Sequence, residues 1–245
     1  MTSATYMRYE LLRTFRNRRF LIFAFGFPLV LYILIAAPNR HVHNLGSSGI
    51  AAPVYFMVGL LTFGTMNAML SAGARIAAER SVGWNRQLRI TPLSPRAYFR
   101  TKVVTGYAMS LVTIALLYVA GFALGVRLPA GDWVRMTILI LVGLVPFAAI
   151  GILMGHLLTA DSVGPALGGT TALLAFLGGV WFPLGNHGAL HAIAQLLPSY
   201  WLVQAAHVGL GGASWGAHGW AVMAVWAVGA AILARRAYVR DTKRA

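Results

Sequence analysis

Long apolar runs alternate with short polar interruptions along this chain, and the interruptions carry most of its charge. A run of about 18 or more apolar residues is long enough to cross a bilayer as a helix. Six spans are predicted on that basis: 20–37, with Pro28 as an expected kink, then 52–77, 103–126, 134–158, 164–182 and 217–234. Ahead of the first, residues 1–19 place Met7, Leu11 and Phe15 at helical spacing, while Arg8, Arg13, Arg16 and Arg19 populate other faces. This pattern predicts an amphipathic helix lying in the membrane interface. A solvated basic tail holding the N-terminus inside is the other reading. Residues 183–215 contain no Lys, Arg, Asp or Glu but hold Pro183, Pro198, Tyr200 and Trp201. The segment is too apolar for an ordinary loop and too interrupted for a span. It predicts a re-entrant hairpin of short helices at the outer face, its backbone buried against protein. An aromatic belt at the interface is compatible with the same residues. The expected fold is all-α: one polytopic transmembrane domain over 1–245.

Composition rules out a soluble alternative. Hydrophobic residues make up 58%, charged residues 10%, and mean hydropathy is +0.70. A soluble domain carries about 25% charged residues, so this chain could not cover a water-facing surface. The net charge of +15 would point to nucleic acid in a soluble protein. In a membrane protein it reflects cytoplasmic loops facing anionic lipid, and no nucleic-acid partner is expected. Residues 1–19 carry five cations, the stretch Arg75 to Lys102 seven and the segment after 234 five, against Arg40, Arg127 and Arg135 on the other side. That bias places both termini and the Arg75 to Lys102 stretch in the cytoplasm of a multi-pass plasma-membrane protein. Eighteen of the twenty cations are arginine, which fits a bacterial genome rich in G and C. Cysteine is absent, so neither a disulfide framework nor a thiolate site is expected. The first apolar run lacks a small-x-small cleavage site and reads as a span rather than a leader.

The Arg75 to Lys102 stretch is the longest charge-rich break between spans. No phosphate-binding Gly-Lys-Ser/Thr loop exists, since Lys102 precedes Val103 and Lys243 precedes Arg244, so ATP is not held in that way here. Gly212-Ala213-Ser214-Trp215-Gly216 matches a nucleophile-elbow spacing, but it lies before a span with no acid nearby and reads as a glycine-rich turn. His187 and His191 stand four apart, as metal ligands on a helix would, yet lack an acidic third ligand and read as packed or interfacial histidines. The pairs Gly121/Gly125, Gly151/Gly155 and Gly164/Gly168 allow close helix approach. Intramembrane carboxylates of the sort an ion-coupled carrier needs are nearly absent. No catalytic or metal-binding residue is expected.

Two blocks resemble the type-2 ABC exporter permeases. The first is Gly59, Glu79-Arg80, Gly83, Leu88 and Thr91-Pro92-Leu93. The second is Gly178-Gly179-Val180-Trp181-Phe182-Pro183-Leu184 followed by Leu197-Pro198-Ser199-Tyr200. His207 departs from the pattern, where many relatives carry arginine. The resemblance implies two copies of a separate cytoplasmic ABC ATPase, which hold the ATP and Mg, and a second permease chain forming a homodimer. It also implies a coupling helix within 78–99, between the second and third spans, carried by Glu79, Arg80, Gly83, Trp84, Leu88 and Pro92. In this reading Glu79 and Arg80 cap or brace that helix, Trp84, Leu88 and Ile90 give it an apolar side, and Pro92 and Pro95 end it. The cargo path would be lined by Phe63, Met66, Asn67, Phe176 and Trp181, with Pro183, Pro198 and Tyr200 in an outer gate. Packing of these residues within the bundle is the plainer reading. The implied activity is export of a drug, antibiotic or lipid-like molecule, with antibiotic resistance as its cellular outcome. The alternative is an integral membrane enzyme acting on lipid, resting on Ser214 and the histidine pairs; a membrane sensor or scaffold is a third.

Overall fold

Apolar residues set where the helices run; glycine, proline and capping side chains set where they stop. The computed structural model describes residues 3–45, 49–84, 87, 90–91, 93–182, 184, 188–207 and 215–244, the last three by their backbone alone. Helix α1 is Ser3–Arg16. Helix α2 covers Arg18–Ala36 and starts at Asn17, whose side chain accepts a hydrogen bond from the Phe20 amide at 3.1 Å. Within α2, Ile22–Gly26 is a π-helical segment. Pro28 has no N–H and its ring crowds the carbonyl four residues earlier, and the widened π-helical turn lies just before it.

Helix α3, Ala52–Ser81, has 30 residues and is about 45 Å long at 1.5 Å per residue. Its most apolar window is 78% buried, against 22% for α2, which makes it the axis of the bundle. Helix α4 is Pro95–Ala123, capped by the Ser94 hydroxyl accepting from the Ala97 amide at 3.2 Å. Pro95 therefore opens the third span instead of ending the helix before it, because a proline at the first helical position loses no hydrogen bond. Helices α5 (Ala130–Gly143) and α6 (Val145–Leu157) follow one apolar path broken at Leu144, where Pro146 cannot donate to the preceding turn. Helix α7, Ala160–Leu177, begins in a Thr159/Ser162 capping box. It stops five residues short of the expected span end because the chain turns at Gly178 and Gly179, the latter with φ of 76°. Short helices α8 (Ala189–Gln195) and α9 (Pro198–His207) occupy the uncharged segment, and α10 is Ala217–Arg244.

Among the described residues five helical stretches are long and apolar enough to cross a membrane: α2, α3, α4, α5 with α6, and α10. The expected fifth span, α7, is 18 residues long but is diluted by Asp161, Pro165 and three glycines. Around α3 pack α4, α6, α7, α2 and α9, and α6 also carries α10. The main core joins Tyr32 of α2, Leu61 and Leu70 of α3, Leu117 of α4, Phe147 of α6 and Leu202 of α9. At the α3–α6 crossing the backbones nearly touch. A β-carbon on Gly151 would stand 2.6 Å from the Leu70 carbonyl oxygen, and one on Gly155 would stand 2.5 Å from that of Gly73. Gly164 and Gly168, by contrast, face open space.

Helix α1 turns its polar side inward. Tyr6, Glu10 and Thr14 are buried, while Tyr9, Leu12 and Phe15 remain exposed. The apolar positions are thus left free, and protein contact falls to the polar ones.

Candidate functional site

Glu79 and Arg80 are the last charged residues of α3. Consecutive helical residues point about 100° apart, so the two side chains serve different neighbours. Three helices each contribute a pair spaced by one turn on the Glu79 side: Glu10 and Thr14 from α1, Arg75 and Glu79 from α3, Tyr98 and Lys102 from α4. The Lys102 ammonium donates to Glu79 Oε1 at 2.5 Å and to Glu10 Oε1 at 2.7 Å. The Tyr98 hydroxyl donates to Glu79 Oε2 at 2.5 Å. Arg13 reaches both carboxylates, at 3.0 Å to Glu10 and 2.5 Å to Glu79. Arg75 donates to the Thr14 hydroxyl at 2.6 Å and lies 4.2 Å over the Phe20 ring.

These are buried ions. Glu10 is 4% exposed, Glu79 5% and Lys102 1%. An unpaired charge at such a depth would cost several kcal/mol, roughly 3–5 when one partner is removed. The arrangement is stable because each carboxylate accepts from two cations, and Glu79 from a phenol besides. Burial lowers the Arg13 pKa, but the hydrogen bond and charge of Glu79 and the charge of Glu10 outweigh it and push the guanidinium up. Burial, then Glu79 and Glu10, push the Tyr6 hydroxyl up, so it stays protonated.

Arg80 faces the opposite way. Its guanidinium donates to the carbonyls of Gly155 (3.2 Å), His156 (2.8 Å) and Leu158 (3.3 Å) at the end of α6. A cation there satisfies carbonyls the helix cannot pair itself. The same guanidinium donates to Asp241 of α10 at 2.8 Å, and Asp241 is also bonded to His156 Nδ1 at 2.8 Å. One dipeptide thus ties α3 to α1 and α4 on one side and to α6 and α10 on the other. Both ends of the chain meet at it.

The expected coupling element looks different in this light. The break between α3 and α4 spans 82–94 rather than 78–99. Glu79 and Arg80 end α3 itself, because their partners on α1, α4, α6 and α10 draw them into the bundle instead of leaving them to cap a loop helix. Gly83 has φ of 70°, a conformation glycine adopts without strain. Trp84 and Gln87 are helical, with the Gln87 amide bonded to the Gly83 carbonyl at 3.3 Å. Val82 and Ile90 are 74% and 88% exposed. Leu88 and Pro92 lie outside the described residues.

Of the expected path residues, the Phe63 ring meets Trp181 at 5.5 Å and Phe27 at 6.1 Å. Asn67 follows Phe63 by one turn, and both are half-buried. Phe176 is exposed and stacks edge-on with Phe182 at 5.0 Å. Met66 is fully buried in the main core and away from any such face. Of the expected gate residues, Pro198 opens α9 and Tyr200 packs edge-on against His191 at 5.7 Å. Pro183, His187 and Ser214 lie outside the described residues. The His207 Nδ1–H donates to the Val203 carbonyl at 3.0 Å, and the ring packs on Tyr55 with centroids 5.8 Å apart. Burial lowers its pKa, with the Val203 bond acting the other way. Among the described residues no three histidines or acids converge as metal ligands.

Glu10, Arg13, Tyr98, Lys102, His156 and Asp241 were not singled out from the sequence. Their one signal was the scarcity of acids: three of the five, Glu10, Glu79 and Asp241, sit in this junction.

Residues 4–210 match the family model described as ABC-2 type transporter. The chain is 26% identical over 195 residues, 78% of each sequence, to a Bacillus subtilis (strain 168) protein, YvfS, whose name describes it as a transport permease. A match across most of the chain, on a bundle of apolar helices braced at one end, is enough to assign it: the chain belongs to the ABC-2 type transporter family and is a multi-pass membrane transport subunit.

Proposed function

We propose that the chain is the permease of an ATP-driven exporter, moving a hydrophobic or amphipathic cargo such as a drug, an antibiotic or a lipid-like molecule. Two such chains would form a homodimer and receive force from two copies of a cytoplasmic ATPase that holds ATP and Mg. The observation that carries this reading is the Glu79–Arg80 junction. It lies where the chain leaves α3 for the segment 82–94, and it locks α3 to four other helices. A push on that segment is delivered to the whole end of the bundle at once, which is what rigid-body switching requires. Trp84, with Val82 and Ile90 exposed beside it, is the knob through which the ATPase would act.

The charge bias supports a bacterial plasma membrane with both termini cytoplasmic, as does the meeting of α1 and α10 at one end of the bundle. An even number of crossings follows from that placement, with α7 as the sixth and α8–α9 as the outer hairpin and gate.

The test is co-purification of the tagged permease with the ATPase encoded beside it, followed by ATP-driven export from reconstituted vesicles. Trp84→Ala should keep the folded permease and cut export at least about tenfold, the loss of roughly 1.4 kcal/mol of coupling. Unchanged export in Trp84→Ala and Glu79→Gln would remove the coupling claim.

A further inference from the structure

A cavity of about 660 Å³ opens between α1 and the end of α3, lined by Tyr6, Tyr9, Arg13, Arg75, Val82 and Trp84 among others. Three features of its wall point to one kind of occupant. The first is charge. Glu10 and Glu79 are shared by Lys102 and Arg13, which leaves Arg75 as a surplus cation whose acceptor among the described residues is the neutral Thr14 hydroxyl. The second is hydrogen bonding. Tyr6 is 3% exposed, and its hydroxyl faces the Trp84 indole, whose N–H is directed at the phenol oxygen. The phenolic O–H itself has no acceptor among the described residues, so what completes it is an acceptor. The third is that the remaining wall is largely apolar, with Tyr9, Ala78 and Val82 contributing to it. Surplus positive charge beside an unfilled donor selects an anionic oxygen group, and the apolar wall selects one carried on an apolar body. A cation is disfavoured because both carboxylates are already neutralised.

We propose that this cavity binds the phosphate of an anionic amphiphile, with Arg75 and Arg13 supplying the charge and the Tyr6 hydroxyl donating a hydrogen bond. The shared chemistry is a phosphate group. An acidic phospholipid entering from the adjoining leaflet and a soluble phosphate are its two possible sources. The site is separate from the cargo path at Phe63 and Trp181, and it does not depend on the ATPase.

Native mass spectrometry of the purified full-length permease in detergent tests it, titrating dioleoyl phosphatidylglycerol, dioleoyl phosphatidylcholine and inorganic phosphate in separate arms. The informative variants are Tyr6→Phe, which removes the donor and keeps the ring, and Arg75→Gln. Thermal unfolding confirms that each is folded, and if Arg75→Gln is not, Tyr6→Phe decides alone. The expected result is one phosphatidylglycerol bound about tenfold more tightly to the wild type than to either variant, as for loss of hydrogen bonds to a charged group. Phosphatidylcholine should bind weakly in all three proteins. Failure of inorganic phosphate to compete identifies the lipid as the source; competition with the same sensitivity to the variants identifies a soluble phosphate. Equal phosphatidylglycerol affinity in wild type and variants overturns the proposal. So does phosphatidylcholine binding that matches phosphatidylglycerol.

Discussion

Lys102 and Glu79 lie 23 residues apart in the chain and meet at 2.5 Å where the lysine side chain is 1% exposed. Such a pair is costly to break from one side and cheap to remove whole. Lys102→Met should leave Glu10 and Glu79 with Arg13 alone and lower the unfolding free energy by about 3–5 kcal/mol. The double variant with Glu79→Gln should recover part of that loss. Thermal unfolding of the four members of this cycle, in one detergent, measures the coupling.

Arg80 holds three carbonyls at the end of α6 and Asp241 of α10 with one planar fork. A lysine is a point charge and cannot serve both. Arg80→Lys and Asp241→Asn should each loosen the end of α10 by about 1–3 kcal/mol. Faster amide exchange over residues 230–241, with α3 unchanged, is the expected signature.

The apolar runs were legible in the sequence because length and composition are local, although Pro95 opens α4 instead of ending an earlier helix and Gly178–Gly179 stop α7 before residue 182. The junction was not. Arg13 is 66 residues from Glu79, Lys102 is 92 from Glu10, and Asp241 is 161 from Arg80. No local pattern announces pairs at those separations. A span ending at residue 77 falls four residues short of α3, because its terminal charges find partners in the fold instead of water. A single apolar run does not say which of its faces turns inward, so Phe63 and Met66 read alike although Met66 is buried in the core and Phe63 is half-buried.

The glycines of α6 and α7 should respond in opposite ways. Gly151→Val would force a side chain into the Leu70 backbone and should destabilise the permease by about 1–3 kcal/mol or more. Gly168→Ala meets open space within the chain and should leave its stability level or raise it by about 0.5–1 kcal/mol. If the second permease chain sits against α7, Gly168→Leu should reduce dimer cross-linking while the monomer's melting temperature holds.

His207 titrates against its burial. Its folded-state pKa lies below the ordinary value of 6.5, so the fold favours the neutral ring. The stabilisation is present above that value and is lost as pH falls below it. Lowering the pH from 7.5 to about 5 should weaken protection of α9 amides, and His207→Gln should flatten that dependence. Amide exchange at the two pH values, corrected for intrinsic rates, is the check.

The fourth span belongs to two neighbourhoods. Below Leu144, α6 lies against α3 and α10; above it, α5 lies chiefly against α9. With glycine facing backbone at the α3–α6 crossing, no side chains there can shear past one another. Pro146 leaves Leu144 as the joint at which the two halves can move apart. The span is a jointed limb: α6 is fastened to the axis, while α5 is free to follow α9.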